Sequence, residues 1–358
     1  MPDSFQGANI AVVGGAGFVG SNLVKAILAQ TPRRVTIVDN FLSADPVNVP
    51  LDSTINLVAA SITDDRVLND LDRDLDYLFH LACYHGNQSS IADPLADHAN
   101  NTLTTLKLFE RLKDIRTLKK VVYAGAGCAV AEKTFDGATA TREDAAVSLY
   151  HDSPYSISKL VGEMYGNYYW TRHGLPFVKA RFQNVYGPGE ILGAGRWRGT
   201  PHTVWRNVTP TFVWRALHGE ALPVENDGIA SRDFIFVEDM ARGLIACALR
   251  GHPGETYNLG SGRETSIRDL AERINRLAGN MTPIASAPAR TWDRSGQRFA
   301  DTGKARQKLG FVAEVDHEAG IARTIEWTKA SQENILRCML QHRHFVPEVA
   351  LYASRAGR

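Results

Sequence analysis

The chain has 358 residues, of which 44% are hydrophobic and 22% charged, and its formal net charge at pH 7 is +1. Such a chain can bury a sizeable core without disulfides or metals, and its length suits two lobes around one cleft. The near-neutral balance excludes a strong global field for nucleic acid or an anionic membrane, and leaves any anionic ligand to locally placed arginines.

Residues 9–13 read as a buried strand, followed by a glycine turn and a helix over about 18–29. Further strands are predicted at 35–38, 55–58, 76–82, 120–124 and 177–182, with helical patterns between them, notably 95–112 and 154–173. Strands alternating with helices predict a parallel sheet covered on both faces. The stretch 187–210 is rich in Gly, Pro, Arg and Trp and reads as a loop over a cleft. Residues 234–237 and 256–259 read as short strands returning to the main sheet, and 267–278 as a helix of a smaller lobe. The expected organisation is a dinucleotide-binding domain over 1–190 with returning segments at about 230–262. A second lobe spans 191–229 and 263–330, and a peripheral tail 331–358.

Cys83, Cys128, Cys247 and Cys338 form no CxxC pair. That argues against a structural zinc site and fits a reducing compartment. No apolar run approaches the roughly 20 residues of a membrane helix. The first six residues lack a basic segment followed by an apolar one. A soluble cytoplasmic protein is expected, with no metal, nucleic-acid or membrane partner.

The segment Gly14-Gly15-Ala16-Gly17-Phe18-Val19-Gly20 follows the first strand and opens a helix, satisfying both GxxGxxG and GxGxxG. Glycines there permit a tight turn and bring backbone amides to a pyrophosphate at the helix N-terminus. Asp39 ends the second strand, where a carboxylate binds the adenosine ribose diol and repels the extra phosphate of NADP. Asn40, Phe41, Leu42 and Ser43 offer no arginine to that phosphate, and Arg33 and Arg34 precede the strand. The expected cofactor is NAD.

Ser153 and Pro154 suit the N-cap and first position of a helix that carries Tyr155 and Lys159 four residues apart, on one face. A tyrosine is a poor base at its ordinary pKa of about 10. A nearby ammonium and a cationic nicotinamide ring favour its phenolate, which makes Tyr155 a candidate general base for a sugar hydroxyl.

With these motifs the sequence resembles the extended short-chain dehydrogenase/reductase family, specifically its sugar-nucleotide epimerases and dehydratases. The resemblance runs from about residue 9 to 327. Beyond the glycine loop and the Tyr155–Lys159 pair it includes Asp64, His80-Leu81-Ala82, Asn101, Arg181 to Pro188, Arg232-Asp233-Phe234 and Tyr257 to Gly262. It implies an α/β fold, a Rossmann-type doubly wound parallel sheet with a smaller α/β substrate-binding lobe, and a homodimer. At the cofactor it implies Gly14, Gly17, Phe18, Val19, Gly20, Asp39 and Asn40, with Asp64 and Ile62 toward the adenine, and Leu81, Ala82 and Asn101. At a nucleoside-diphosphate sugar it implies Tyr84, His85, Ser90, Ala126 and Cys128. Asn184 and Arg232 then hold the diphosphate, and Arg290, Asp293 and Arg298 lie against the nucleotide. The planar fork of an arginine suits paired phosphate oxygens.

One departure shapes the expected chemistry. The family carries a Ser or Thr after the fifth strand, where this chain has Ala126, and its 4,6-dehydratases follow with an Asp-Glu pair, where this chain has Gly127 and Cys128. A dehydratase, or a decarboxylase relying on a carboxylate there, is therefore disfavoured. The reading is an NAD-dependent 4-epimerase acting through a transient 4-keto sugar. The alternatives are a 4-keto-sugar reductase and a non-catalytic dinucleotide-binding regulator. Arg196 and Arg198 are candidates for a sugar carboxylate, which keeps a uronic acid substrate open.

Overall fold

Strand β1 (Asn9–Val13) is buried at every position, as expected of an interior strand of a parallel sheet with both faces covered. In the computed structural model, which describes residues 4–71, 73–131, 134–290 and 296–356, eleven further strands follow. They are β2 (Arg34–Val38), β3 (Ile55–Val58), β4 (Tyr77–His80), β5 (Lys120–Ala126), β6 (Phe177–Phe182) and β7 (Asn184–Tyr186). After these come β8 (Pro223–Glu225), β9 (Ser231–Phe236), β10 (Thr256–Leu259), β11 (Glu264–Ser266) and β12 (Ala285–Ala287).

Seven of the strands form one sheet in the order β10-β6-β5-β4-β1-β2-β3, with every pairing parallel. The chain order reverses between β1 and β4, so a crevice opens beyond the carboxyl ends of those two strands. One face is covered by helices Phe18–Leu28, Val237–Arg250 and Gly303–Leu309, which bury Leu23, Ile27, Met240, Leu244 and Leu309. The opposite face is covered by Thr104–Leu112 and Pro154–His173, through Leu108, Phe109 and Tyr169. Each fully buried side chain of the Leu or Phe kind contributes about 1.5–3 kcal/mol.

Four differences from the sequence reading stand out. The strand around residue 234 does not return to the main sheet. It is β9, which pairs parallel to β7 and antiparallel to β11 in a separate three-stranded sheet. Strand β6 already has β5 on one side and β10 on the other, so it offers no free edge. The helix expected over 95–112 is interrupted. Pro94–Asp97 is α-helical, His98–Leu103 winds as a π-helix, and the α-helix resumes at Thr104. The stretch 187–210 is mostly loop, but a helix, Val208–Leu217, starts inside it.

The tail is not peripheral. Helices Gln332–Leu340 and Val349–Ala356 bury Ile335, Cys338, Met339, Val349 and Tyr352 against Ile191, Leu192, Val204 and Trp214. Arg337 and Cys338 both donate to the Asp45 carboxylate, at 2.9 and 3.2 Å. The tail thereby fastens the loop over the cleft. Among the described residues, no helix is long and apolar enough to cross a membrane.

Candidate active site

The glycine loop fills the crevice between β1 and β4. Gly14 has φ +88°, and a Cβ there would lie 2.5 Å from the Ala82 nitrogen at the end of β4. A Cβ on Gly20 would meet the Gly14 carbonyl oxygen at 2.1 Å. Gly17 caps the following helix without a side-chain hydrogen bond, and no acidic residue occupies its first turn. Its leading amides therefore remain available to an anion, at the positive end of the helix dipole. Asp39 accepts from the Ala16 amide at 3.0 Å and the Phe41 amide at 2.9 Å. Burial raises its pKa above the usual carboxylate value, and those amides oppose the shift. The cradle and this carboxylate fit an adenosine-bearing dinucleotide.

From the loop a cavity of about 670 Å³ runs past Tyr155 and Lys159 into the second lobe. Tyr155 sits at the second position of helix Pro154–His173, which Ser153 caps by accepting from the Ser156 amide. The Tyr155 amide donates to Ser90 Oγ at 3.1 Å, and Lys159 Nζ donates to the Ala124 carbonyl at 2.9 Å. Burial drives the Tyr155 phenol well above its ordinary pKa, and the nearby Cys83 and Cys128 thiols push in the same direction. Lys159 alone thus does not supply the phenolate expected from the sequence.

Other expected residues fall on the same wall. Phe18, Val19, Asn40, Ile62, Leu81 and Ala82 line the dinucleotide end. His85, Ala126 and Cys128 line the cavity with Tyr155, and Asn184, Arg232, Arg290 and Arg298 line it as well. Arg232 Nη1 donates to the carbonyls of Ser231 and Gly296, both at 2.6 Å, so its guanidinium is held in place. Arg290 pairs with Glu225 at 2.5 Å.

Four expected residues lie off the wall. Asp64 is exposed and caps helix Asp65–Asn69 by accepting from the Arg66 amide, and Ser61 and Ile62 line the cavity in that segment instead. Ser90 is fully buried, donating to the Asn87 carbonyl and accepting from Tyr155. Asn101 accepts from the Tyr84 amide at 2.7 Å and donates to Asp97 at 2.7 Å, while Tyr84 is buried behind that clasp. None of these four groups lines the cavity. Asp293 lies outside the described residues. Arg196 donates to the Asn40 carbonyl, and Arg198 to Ser43 Oγ and the His85 carbonyl. They tie the 193–200 loop down and do not line the cavity.

Sequence reasoning missed Glu190, Arg206 and Asn207, which also line the cavity. Asn207 donates to Glu190, and Arg206 donates to the Ser43 carbonyl at 2.7 Å and to the Ala194 carbonyl. Burial raises the Glu190 carboxyl to about 7 and lowers Arg206 to about 9. The one sequence signal for Glu190 and Arg206 was charge inside an otherwise aperiodic loop, and Asn207 had none. Among the described residues no three His, Cys, Asp or Glu side chains are grouped to hold a metal.

The sequence pattern of the NAD-dependent epimerase/dehydratase family matches residues 10–260. A dTDP-glucose 4,6-dehydratase from Streptomyces antibioticus is 30% identical, with 89% of this chain and 92% of that protein aligned. A UDP-glucose 4-epimerase from Mycolicibacterium smegmatis is also 30% identical, over 88% and 97%. Among solved structures, the Bordetella bronchiseptica enzyme WbmF in complex with NAD+ and UDP is 57% identical, covering 95% of this chain and 98% of that one, with a TM-score of 0.86. A UDP-glucose 4-epimerase from Thermotoga maritima with UDP-glucose is 28% identical, over 90% and 99%, with a TM-score of 0.81. The chain belongs to the NAD-dependent epimerase/dehydratase family, as a nucleotide-sugar enzyme of the extended short-chain dehydrogenase/reductase type whose cofactor is NAD.

Proposed function

We propose that the protein is a 4-epimerase of a nucleoside-diphosphate sugar. The observation that carries this reading is one continuous cavity, with the glycine cradle and the Tyr155–Lys159 pair at one end and Arg232, Arg290 and Arg298 at the other. The arginines match a diphosphate and its nucleoside, which puts the sugar against Tyr155. Two relatives, from Mycolicibacterium smegmatis and Thermotoga maritima, are named UDP-glucose 4-epimerases. A dehydratase is also among the relatives. Against that chemistry, Gly127 and Cys128 provide no carboxylate where the dehydratases of this family carry an acid and a base.

When bound, NAD supplies the hydride acceptor, and as NADH the hydride donor. Tyr155 Oη takes the proton of the 4-hydroxyl, so the O–H bond breaks as the C4 hydride leaves and the 4-keto group forms. Arg232 holds the diphosphate while the keto sugar turns. Tyr155 then returns the proton as hydride arrives on the other face. Lys159 keeps a positive charge beneath the phenol. The balance needs no net cofactor.

We also propose a homodimer. Leu95, Ile157, Met164 and Tyr168 are exposed apolar side chains on neighbouring helices. The four free thiols suit a cytoplasmic setting. Incubation with a panel of sugar nucleotides and catalytic NAD, followed by NMR, tests the main reading. Formation of the 4-epimer is expected, and stoichiometric consumption of NADH on a keto sugar would instead assign a reductase.

A further inference from the structure

We propose that the imidazole of His85 is a second catalytic group, which hydrogen-bonds the reacting sugar oxygen and directs it onto Tyr155. The proposal rests on the sugar-nucleotide reading above. His85 lies five residues beyond β4, on the cavity wall. Its ring stands edge-on to the Tyr155 ring, with centroids 6.0 Å apart and planes at 73°. Its backbone is fixed by the 3.0 Å hydrogen bond from Arg198 to its carbonyl.

The side chain itself is uncommitted. Neither ring nitrogen makes a hydrogen bond among the described residues, and neither is sealed from the cavity. A partnerless imidazole beside a general base points to a polar ligand atom as its partner. Burial, then the positive charges of Arg198, Arg206 and Lys159, lower its pKa to about 3. The ring is therefore neutral at physiological pH, with one N–H donor and one acceptor nitrogen. A neutral donor can bond the oxygen both as hydroxyl and as keto group, without surrendering a proton to it.

Other groups near the phenol are poorly placed for this task. Lys159 is tied to the Ala124 carbonyl, and Ser90 to Asn87 and Tyr155. Ser156 faces Ser153, with Cys128 Sγ at 4.0 Å. Ala126 presents a methyl group. A thiol is a weak donor.

The test compares His85→Phe with His85→Asn and His85→Gln, whose amides reach the positions of Nδ1 and Nε2 respectively. The readouts are the rate of hydride exchange between bound cofactor and a panel of sugar nucleotides, 4-epimer formation, NAD content and affinity for UDP. His85→Phe should keep NAD and UDP binding but slow hydride exchange roughly 10- to 100-fold, the scale of one transition-state hydrogen bond. One of the two amides should restore most of the rate. Should His85→Phe fail to fold, unequal rates in the two amide variants are still expected, since only one places its N–H correctly. An unchanged rate in His85→Phe, a loss that neither amide repairs, or two amides equal to wild type overturns the proposal. Wild-type hydride exchange without epimer formation would sink the epimerase reading alone. Epimerisation with an indifferent His85→Phe would sink the role of His85 alone. No exchange with any sugar nucleotide overturns both.

Discussion

Lys159 holds its ammonium 5.9 Å from the centre of the Tyr155 ring while donating to the Ala124 carbonyl at 2.9 Å. The lysine is thus anchored to the end of β5, and the spacing of four residues on one helix presents both groups to the same side. Burial nevertheless keeps the phenol protonated well above its ordinary range. The cationic nicotinamide ring of bound NAD would add a second positive charge that favours the phenolate.

Tyr155→Phe removes the phenolic oxygen and keeps the ring. Loss of a general base costs a factor of about 10² to 10⁴. The expected loss lies in kcat, with substrate affinity nearly unchanged, because the proton moves only in the reaction. Steady-state kinetics on the epimerised sugar nucleotide read it, and full activity in the variant would exclude Tyr155 as the base.

Asp39→Ala removes the acceptor for the Ala16 and Phe41 amides and the charge that disfavours NADP. Calorimetry should show wild type binding NAD far more tightly than NADP, with the gap narrowed in the variant. One buried and one partly buried amide lose their partner, so the variant should also lose about 1–3 kcal/mol of stability. Equal wild-type affinity for the two cofactors contradicts the assignment.

Arg232→Ala should weaken nucleoside-diphosphate binding by roughly 1.5 to 3 kcal/mol, the scale of a hydrogen bond to a charged group. NAD binding should barely change, since Arg232 lines the far end of the cavity. UDP affinity by titration decides it, and an unaltered value removes Arg232 from the site.

The parts of this molecule legible in the sequence are those with a local cause. β1 is a continuous run of mostly apolar residues, and the glycines at 14 and 20 are demanded by contacts a Cβ would violate. Ser153, Pro154 and Gly174 mark both ends of the helix that carries Tyr155. What escaped among the site residues was set by hydrogen bonds that claim a side chain before any ligand can, some local and some distant. Asp64 and Ser90 have side chains that suit a ligand, but capping and a buried hydrogen bond claim them first. Asn101 is drawn into a clasp with Tyr84 and Asp97, inside a π-helical turn. The tail has short helices and many basic residues, and its value emerges only where Cys338 and Met339 meet Trp214 and Leu192.

Glu190, in the loop over the cleft, makes stability depend on pH. Its side chain is 4% exposed, Oε1 accepts from Asn207, and Oε2 has no hydrogen-bond partner. Burial raises its pKa from 4.5 to about 7, against the opposing influence of Asn207 and Arg206. The folded protein therefore holds this proton more tightly than the unfolded chain does. The resulting stability is fully present below about pH 4.5 and is lost as pH rises toward 7. Above that, the fold carries a buried charge. Glu190→Gln keeps the acceptor for Asn207 and removes the charge. The variant should gain on wild type as pH rises from 5 to 7, by about 3 kcal/mol at most, since one pKa unit corresponds to about 1.36 kcal/mol. The gain should then level off by pH 8. Denaturant unfolding of both proteins at each pH measures the difference. Parallel stability curves across that range would mean that Glu190 ionises as readily in the folded protein as in the unfolded chain.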